Sequence, residues 1–131
     1  MERLYPHPVE VRTLNPLSLA FVGDGVYSLL VRERLLTAAN RPAGELSRLA
    51  VDAVRAEAQA VAADRILPLL TEEETAAFKR GRNAHTTRHG AEYHKATGLE
   101  SLFGYLYLDG RTDRVRELFA VCVGEDAPAE G

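Results

Sequence analysis

Two acidic residues stand out because nothing near them in the sequence accounts for a charge. Asp24 lies between Gly23 and Gly25 in the long apolar stretch Leu17 to Leu36, LSLAFVGDGVYSLLVRERLL. On a helix its same-face neighbours are Leu17, Ala20, Phe21, Tyr27, Ser28 and Val31, with no cation among them. An ionised carboxylate buried in such surroundings is expensive unless something pairs with it. Each interior glycine weakens a helix by roughly 1 kcal/mol relative to alanine, a loss that makes sense where something must approach the backbone beside Asp24. Glu100 repeats the pattern in YHKATGLESLFGYLYL, its helical neighbours being Tyr93, Ala96, Thr97, Phe103, Gly104 and Tyr107. Two carboxylates converging in a mostly apolar setting suit a hard divalent cation. Mg²⁺ in particular is held by one or two carboxylates plus waters and substrate phosphate. The alternatives are separate buried acids, each bonded to a backbone N–H or an arginine, or a helix break at the glycine pair.

A second chemical feature is basic. Between Lys79 and Lys95 lie Lys79, Arg80, Arg82, Arg88 and Lys95 together with His85, His89 and His94, against Glu92 alone. In a chain of net charge −3 this is the one positive patch. At a helix end and on a loop it could reach phosphates, with Asn83 able to bond a sugar or base edge. The plainer reading is ordinary charge at a helix C-terminus. The histidine spacing matches no zinc pattern, and no cysteine helps. The single cysteine, Cys122, sits in the apolar run Leu118 to Val123 and reads as a core residue; it fits a reducing cytosol.

The elements that would position these residues follow from periodicity. Asn15 caps and Pro16 opens a helix over 17–36, whose apolar side chains run most of the way round and so imply burial in the domain or against a second copy. A loop over 37–44 is followed by a helical stretch from Glu45 to Leu67, with a break possible near Val51 to Arg55 and a stop at Pro68. Thr71 to Glu74 is a capping-box pattern for a helix ending near Lys79 to Asn83, and Ala84 to Glu92 reads as a loop. A second strongly apolar helix begins near Tyr93 and ends at Gly110, and Thr112 or Asp113 caps a last helix through Val123. No segment alternates with a period of two, so the expectation is an all-α single domain over 1–131. Its core spans about 14–123, with loose ends at 1–11 and 124–131. No signal pattern or membrane-length apolar run is present, which points to a cytoplasmic protein.

These segments also carry a resemblance. LSLAFVGDGVYSLLVR resembles the signature helix of the ribonuclease III catalytic domain. KRGRNA followed by YHKATGLESLFGYLYL resembles the compact Mini-ribonuclease III branch. The similarity spans about Leu14 to Val121 with its segments in order. It implies an all-helical homodimer that cuts double-stranded RNA with Mg²⁺, leaving 5′-phosphate and 3′-hydroxyl ends. It also implies maturation of the ends of the 23S (large-subunit) ribosomal RNA precursor, and leaves open whether a ribosomal protein acts as an accessory. Asp24 falls on the family's essential aspartate and Glu100 on its metal-binding glutamate, making both catalytic residues and metal ligands. Arg80 to Asn83 fall on a segment that contacts RNA, so Lys79, Arg80, Arg82, Asn83, His85 and Arg88 form the expected RNA-binding set. The sequence departs from the family pattern in its carboxylates and in the loop expected to contact RNA. Full-length relatives carry carboxylates where this chain has Ala20 and Thr97, although the compact branch shows a similar reduction. The loop Ala84 to Glu92 also looks shortened. The competing readings are a non-catalytic RNA- or ribosome-binding homodimer with a degraded metal site, and a helical protein-interaction domain.

Overall fold

The computed structural model describes residues 3–84 and 90–125, and among them the chain is all-α, with no strand. Helix α1 spans Pro16–Ala38, with the Asn15 side chain accepting from Leu17 N at 2.8 Å and proline in the first turn. The stretch expected over 45–67 is two helices, α2 (Ala43–Ala53) and α3 (Ala56–Ile66). The break falls at Arg55, whose extended backbone (ψ 153°) cannot continue the helix. Helix α4 (Glu72–Arg82) starts with both halves of the capping box: Thr71 N donates to Glu74 Oε1 at 3.0 Å and Glu74 N to Thr71 Oγ1 at 3.1 Å. Helix α5 spans Ala91–Leu108, starting before Tyr93 and so taking Ala91 and Glu92 out of the expected loop. Gly110, at φ +81°, closes its C-terminal turn in the left-handed region that glycine tolerates. Helix α6 (Thr112–Cys122) is capped by Arg111 without a side-chain bond, not by Thr112 or Asp113.

The architecture is organised around α5. It packs against α1, α4, α3 and α6, and of residues 96–106 every one is buried except Glu100. Leu99, Leu102, Phe103 and Leu106 have no exposed surface, and Tyr27 of α1 stands edge-on between Phe103 and Phe119. Within its own chain α1 is not buried all round, which leaves the alternative of burial against a second copy. It buries one stripe, Leu19, Ala20, Gly23, Tyr27 and Val31, while Phe21, Leu17, Leu29 and Leu36 face outward.

Where α1 and α5 cross, the backbones touch. A Cβ on Gly23 would overlap the carbonyl of Glu100, and one on Gly104 would overlap the carbonyl of Leu19. Only glycine permits that approach. Helix α4 docks in a similar way, with Gly81 against Ser101 and Gly98 against Phe78.

Candidate functional site

The glycine crossing places Asp24 and Glu100 side by side. Asp24 follows Gly23 on α1, and the Gly23 backbone rests on the Glu100 carbonyl. The two carboxyl groups lie within hydrogen-bonding reach of each other. Burial pushes the Glu100 carboxyl up to about 8, the hydrogen bond and charge of Asp24 add to the rise, and Gln59 of α3 opposes it. Among the described residues no cation acts on Glu100. The burial expected for Asp24 is corrected: its side chain is exposed and Glu100 is half-buried, so the pair sits at the rim of the core. Gly25, the second glycine beside Asp24, faces open space.

Gln59 was not singled out in the sequence. It is 2 % exposed, and its Nε2 approaches Glu100 closely enough to favour the anion without reaching hydrogen-bonding geometry with any group. The signal was available: Gln59, Ala63 and Ile66 share one helical face, and Gln59 interrupts its apolar character.

Another glutamate shows what a satisfied buried acid looks like here. Glu74, 2 % exposed, takes two bonds of 2.9 Å from Arg114, on Oε2 from Nε and on Oε1 from Nη2, besides the capping bond from Thr71. Burial alone would raise its carboxyl, but these bonds hold it below the ordinary glutamate value. Glu100 lacks any such partner. Two carboxylates brought together at a solvent-facing rim fit Mg²⁺, which keeps several waters. Ala20 and Thr97 are buried in the core at 7 % and 5 % exposure, and Thr97 Oγ1 donates to Tyr93 O at 3.1 Å. Among the described residues no group of three or more His, Cys, Asp or Glu could hold a metal. Cys122 is buried and its thiol is pushed up to about 12 by burial, an inert core position.

The basic residues lie at the C-terminal end of α4. Lys79, Arg80 and Asn83 are exposed, and Arg82 Nε donates to Asn83 Oδ1 at 3.3 Å. Among the described residues neither Lys79 nor Arg80 has an ion-pair partner, whereas Lys95 is held by Asp64 at 2.8 Å. Gly81, between Arg80 and Arg82, rests on Ser101, the residue after Glu100. Arg80 also lines a groove of about 550 Å³ with Arg12, Leu19, Glu73 and Tyr105. Glu73 there is engaged by Arg12, Arg111 and the Tyr105 hydroxyl. His85 and Arg88 lie outside the described residues, as does most of the loop that contains them. No helix is long and apolar enough to cross a membrane among the described residues.

Comparison with known proteins identifies the family. The ribonuclease III domain family matches residues 17–111, a span holding both acids and the basic end of α4. The chain is 44 % identical over 118 residues to Mini-ribonuclease 3 of Thermoanaerobacter sp. (strain X514), covering 86 % of this chain and 83 % of that protein. It is 40 % identical over 121 residues to Mini-ribonuclease 3 of Enterococcus faecalis (strain ATCC 700802 / V583), covering 87 % and 92 %. The fold is similar to the crystal structure of a protein from Fusobacterium nucleatum, with a TM-score of 0.77 at 27 % identity, covering 86 % of this chain and 94 % of that one. The chain therefore belongs to the ribonuclease III family, in its compact Mini-ribonuclease III branch.

Proposed function

We propose that this protein is a Mg²⁺-dependent endoribonuclease that cleaves double-stranded RNA, with Asp24 and Glu100 as metal ligands and catalytic carboxylates. The observation that supports it is the meeting of two acids, remote in sequence, with no cation among the described residues acting on Glu100. Glu100 belongs to the most enclosed helix and is held in place by the Gly23 and Gly104 crossing, whereas Asp24 stands on the exposed rim. When bound, Mg²⁺ would supply activation of a water nucleophile and neutralisation of charge on the scissile phosphate. Lys79, Arg80, Arg82 and Asn83, with His85 and Arg88 in the adjoining segment, are assigned to the RNA. A-form duplexes are read mainly through phosphates, 2′-hydroxyls and shape, and a basic helix end suits that.

The outward face of α1 supports a homodimer. Leu17, Phe21, Leu29 and Leu36 lie on one side of the helix, Phe21 being 82 % exposed, and Gly25 lies between Phe21 and Leu29 on the same side. The ends of the 23S ribosomal RNA precursor as substrate, and a ribosomal protein as accessory partner, rest on family membership alone.

A non-catalytic RNA-binding homodimer is favoured by one feature, the side chains at Ala20 and Thr97. One assay separates the readings: long duplex RNA incubated with Mg²⁺, with an EDTA control and with Asp24→Asn and Glu100→Gln. Cleavage that EDTA stops, and that Asp24→Asn slows by more than about 100-fold while remaining folded, is the expected result. Glu100→Gln should lose activity likewise, with partial rescue at high Mg²⁺. Unchanged turnover in Asp24→Asn would contradict the assignment. Salt-dependent binding without any cleavage by the unmodified chain would favour the non-catalytic reading.

A further inference from the structure

We infer that Gln59 of α3 is a positioning residue of this site: its amide turns the Glu100 carboxylate toward Asp24, so that both acids present oxygens to one divalent cation. The inference rests on the metal-site reading above and extends it to a residue outside the two acid-bearing helices. Gln59 is the one polar side chain among the buried residues of α3, in company with Ala60, Ala62, Ala63 and Ile66. Its Nε2 is buried and has no hydrogen-bond partner, and the group it approaches is Glu100. Buried donors left unpaired are rare, and in a native structure each calls for a reason. Packing does not supply one here, because a methionine or leucine would fill similar space without stranding a donor.

The amide has the chemistry the position needs. A lysine or arginine there would neutralise Glu100 and compete with a metal ion for it. A third carboxylate would add repulsion to two acids that already stand side by side. A neutral donor can bond the Glu100 carboxylate once it turns toward the cation, and so limit its rotation without occupying the cation's place. Neither Ala20 nor Thr97 provides a carboxylate, so Gln59 is the remaining polar group acting on Glu100 besides Asp24.

The test uses the full chain without RNA and measures Mn²⁺ binding by the loss of the free-ion paramagnetic signal, for the unmodified protein, Asp24→Asn, Gln59→Met and Gln59→Leu. Both Gln59 variants are expected to keep or raise the thermal midpoint while losing about 10- to 100-fold in Mn²⁺ affinity. In cleavage assays they should need correspondingly more Mg²⁺ for half-maximal rate, with the KM for duplex RNA unchanged and activity restored at saturating Mg²⁺. A packing role would move the midpoint and not the metal requirement. If Asp24→Asn loses Mn²⁺ and the Gln59 variants bind it like the unmodified protein, the positioning role is overturned and the metal site stands. If Asp24→Asn binds Mn²⁺ undiminished, the metal-site reading falls and this inference with it. Failure of both Gln59 variants to fold would make Gln59 a structural residue and overturn the proposal.

Discussion

The carbonyl oxygen of Glu100 occupies the space where a side chain on Gly23 would stand. One glycine thus sets both the separation of α1 and α5 and the meeting of Asp24 with Glu100. Gly23→Ala cannot be absorbed by a rotamer change, because the group it meets is backbone. We expect a loss of about 3 kcal/mol in urea unfolding and a larger fractional loss of cleavage than the unfolded population explains. Gly25→Ala, which meets nothing within 4 Å, should leave the helical signal of the chain unchanged. Equal damage from the two substitutions would show that the crossing is not what holds the site.

Acid and base should act on the metal-free protein through different glutamates. The Glu74 carboxyl lies below its ordinary value, because Arg114 and Thr71 outweigh burial. Its contribution is therefore complete above about pH 4.3 and is lost as pH falls through the depressed folded value. Glu100 has the opposite sign. Burial first, then Asp24, raise it to about 8. The acid form thus favours folding, an advantage complete below about pH 4.3 and lost as pH rises toward 8. Urea midpoints in EDTA across pH 3 to 8 should fall at both ends. Glu74→Gln should remove most of the acid limb and cost about 3 kcal/mol at neutral pH, and Glu100→Gln should flatten the upper limb. Identical profiles for the three proteins would refute both assignments.

The exposed basic end of α4 should be felt as salt dependence. Arg80→Ala with Arg82→Ala should weaken duplex binding about equally for all sequences, and reduce the slope of log affinity against log salt by about one per residue lost. An undiminished slope would move the RNA surface elsewhere on the molecule.

Dimerisation is testable at Phe21, an aromatic ring that joins no core cluster among the described residues. Phe21→Arg should shift sedimentation at micromolar concentration from dimer to monomer while leaving the helical signal intact. A monomer from the unmodified chain would remove the dimer from the proposal.

Much of this arrangement was legible in the sequence because it depends on local chemistry. Asn15 with Pro16, the Thr71 and Glu74 box, and Gly110 each mark a helix end by a backbone requirement that only certain residues meet. The two isolated acids advertised themselves by lacking cations along their own helices, and the crossing does bring them together. What could not be read was which apolar helix the others surround. α1 and α5 are both apolar around most of their circumference, and residues such as Phe21 and Leu36 turn out to face away from the chain's own core. The exposure of Asp24 was missed for the same reason. Gln59 was missed because a glutamine on a helix ordinarily marks the wet face, which outweighed its place on the apolar face with Ala63 and Ile66.

Helix α5 is enclosed from Ala96 to Leu106 except where Glu100 opens to the rim. A segment packed against four neighbours does not fray by itself, so the amides around Glu100 can exchange with solvent only when the whole domain opens. With Glu100 in the catalytic role proposed above, cleavage and folding become a single cooperative property, and heat should extinguish both along one curve. Adaptation of this enzyme to a hotter or colder setting has to proceed through the global stability of the domain, since no separable hinge carries the acid.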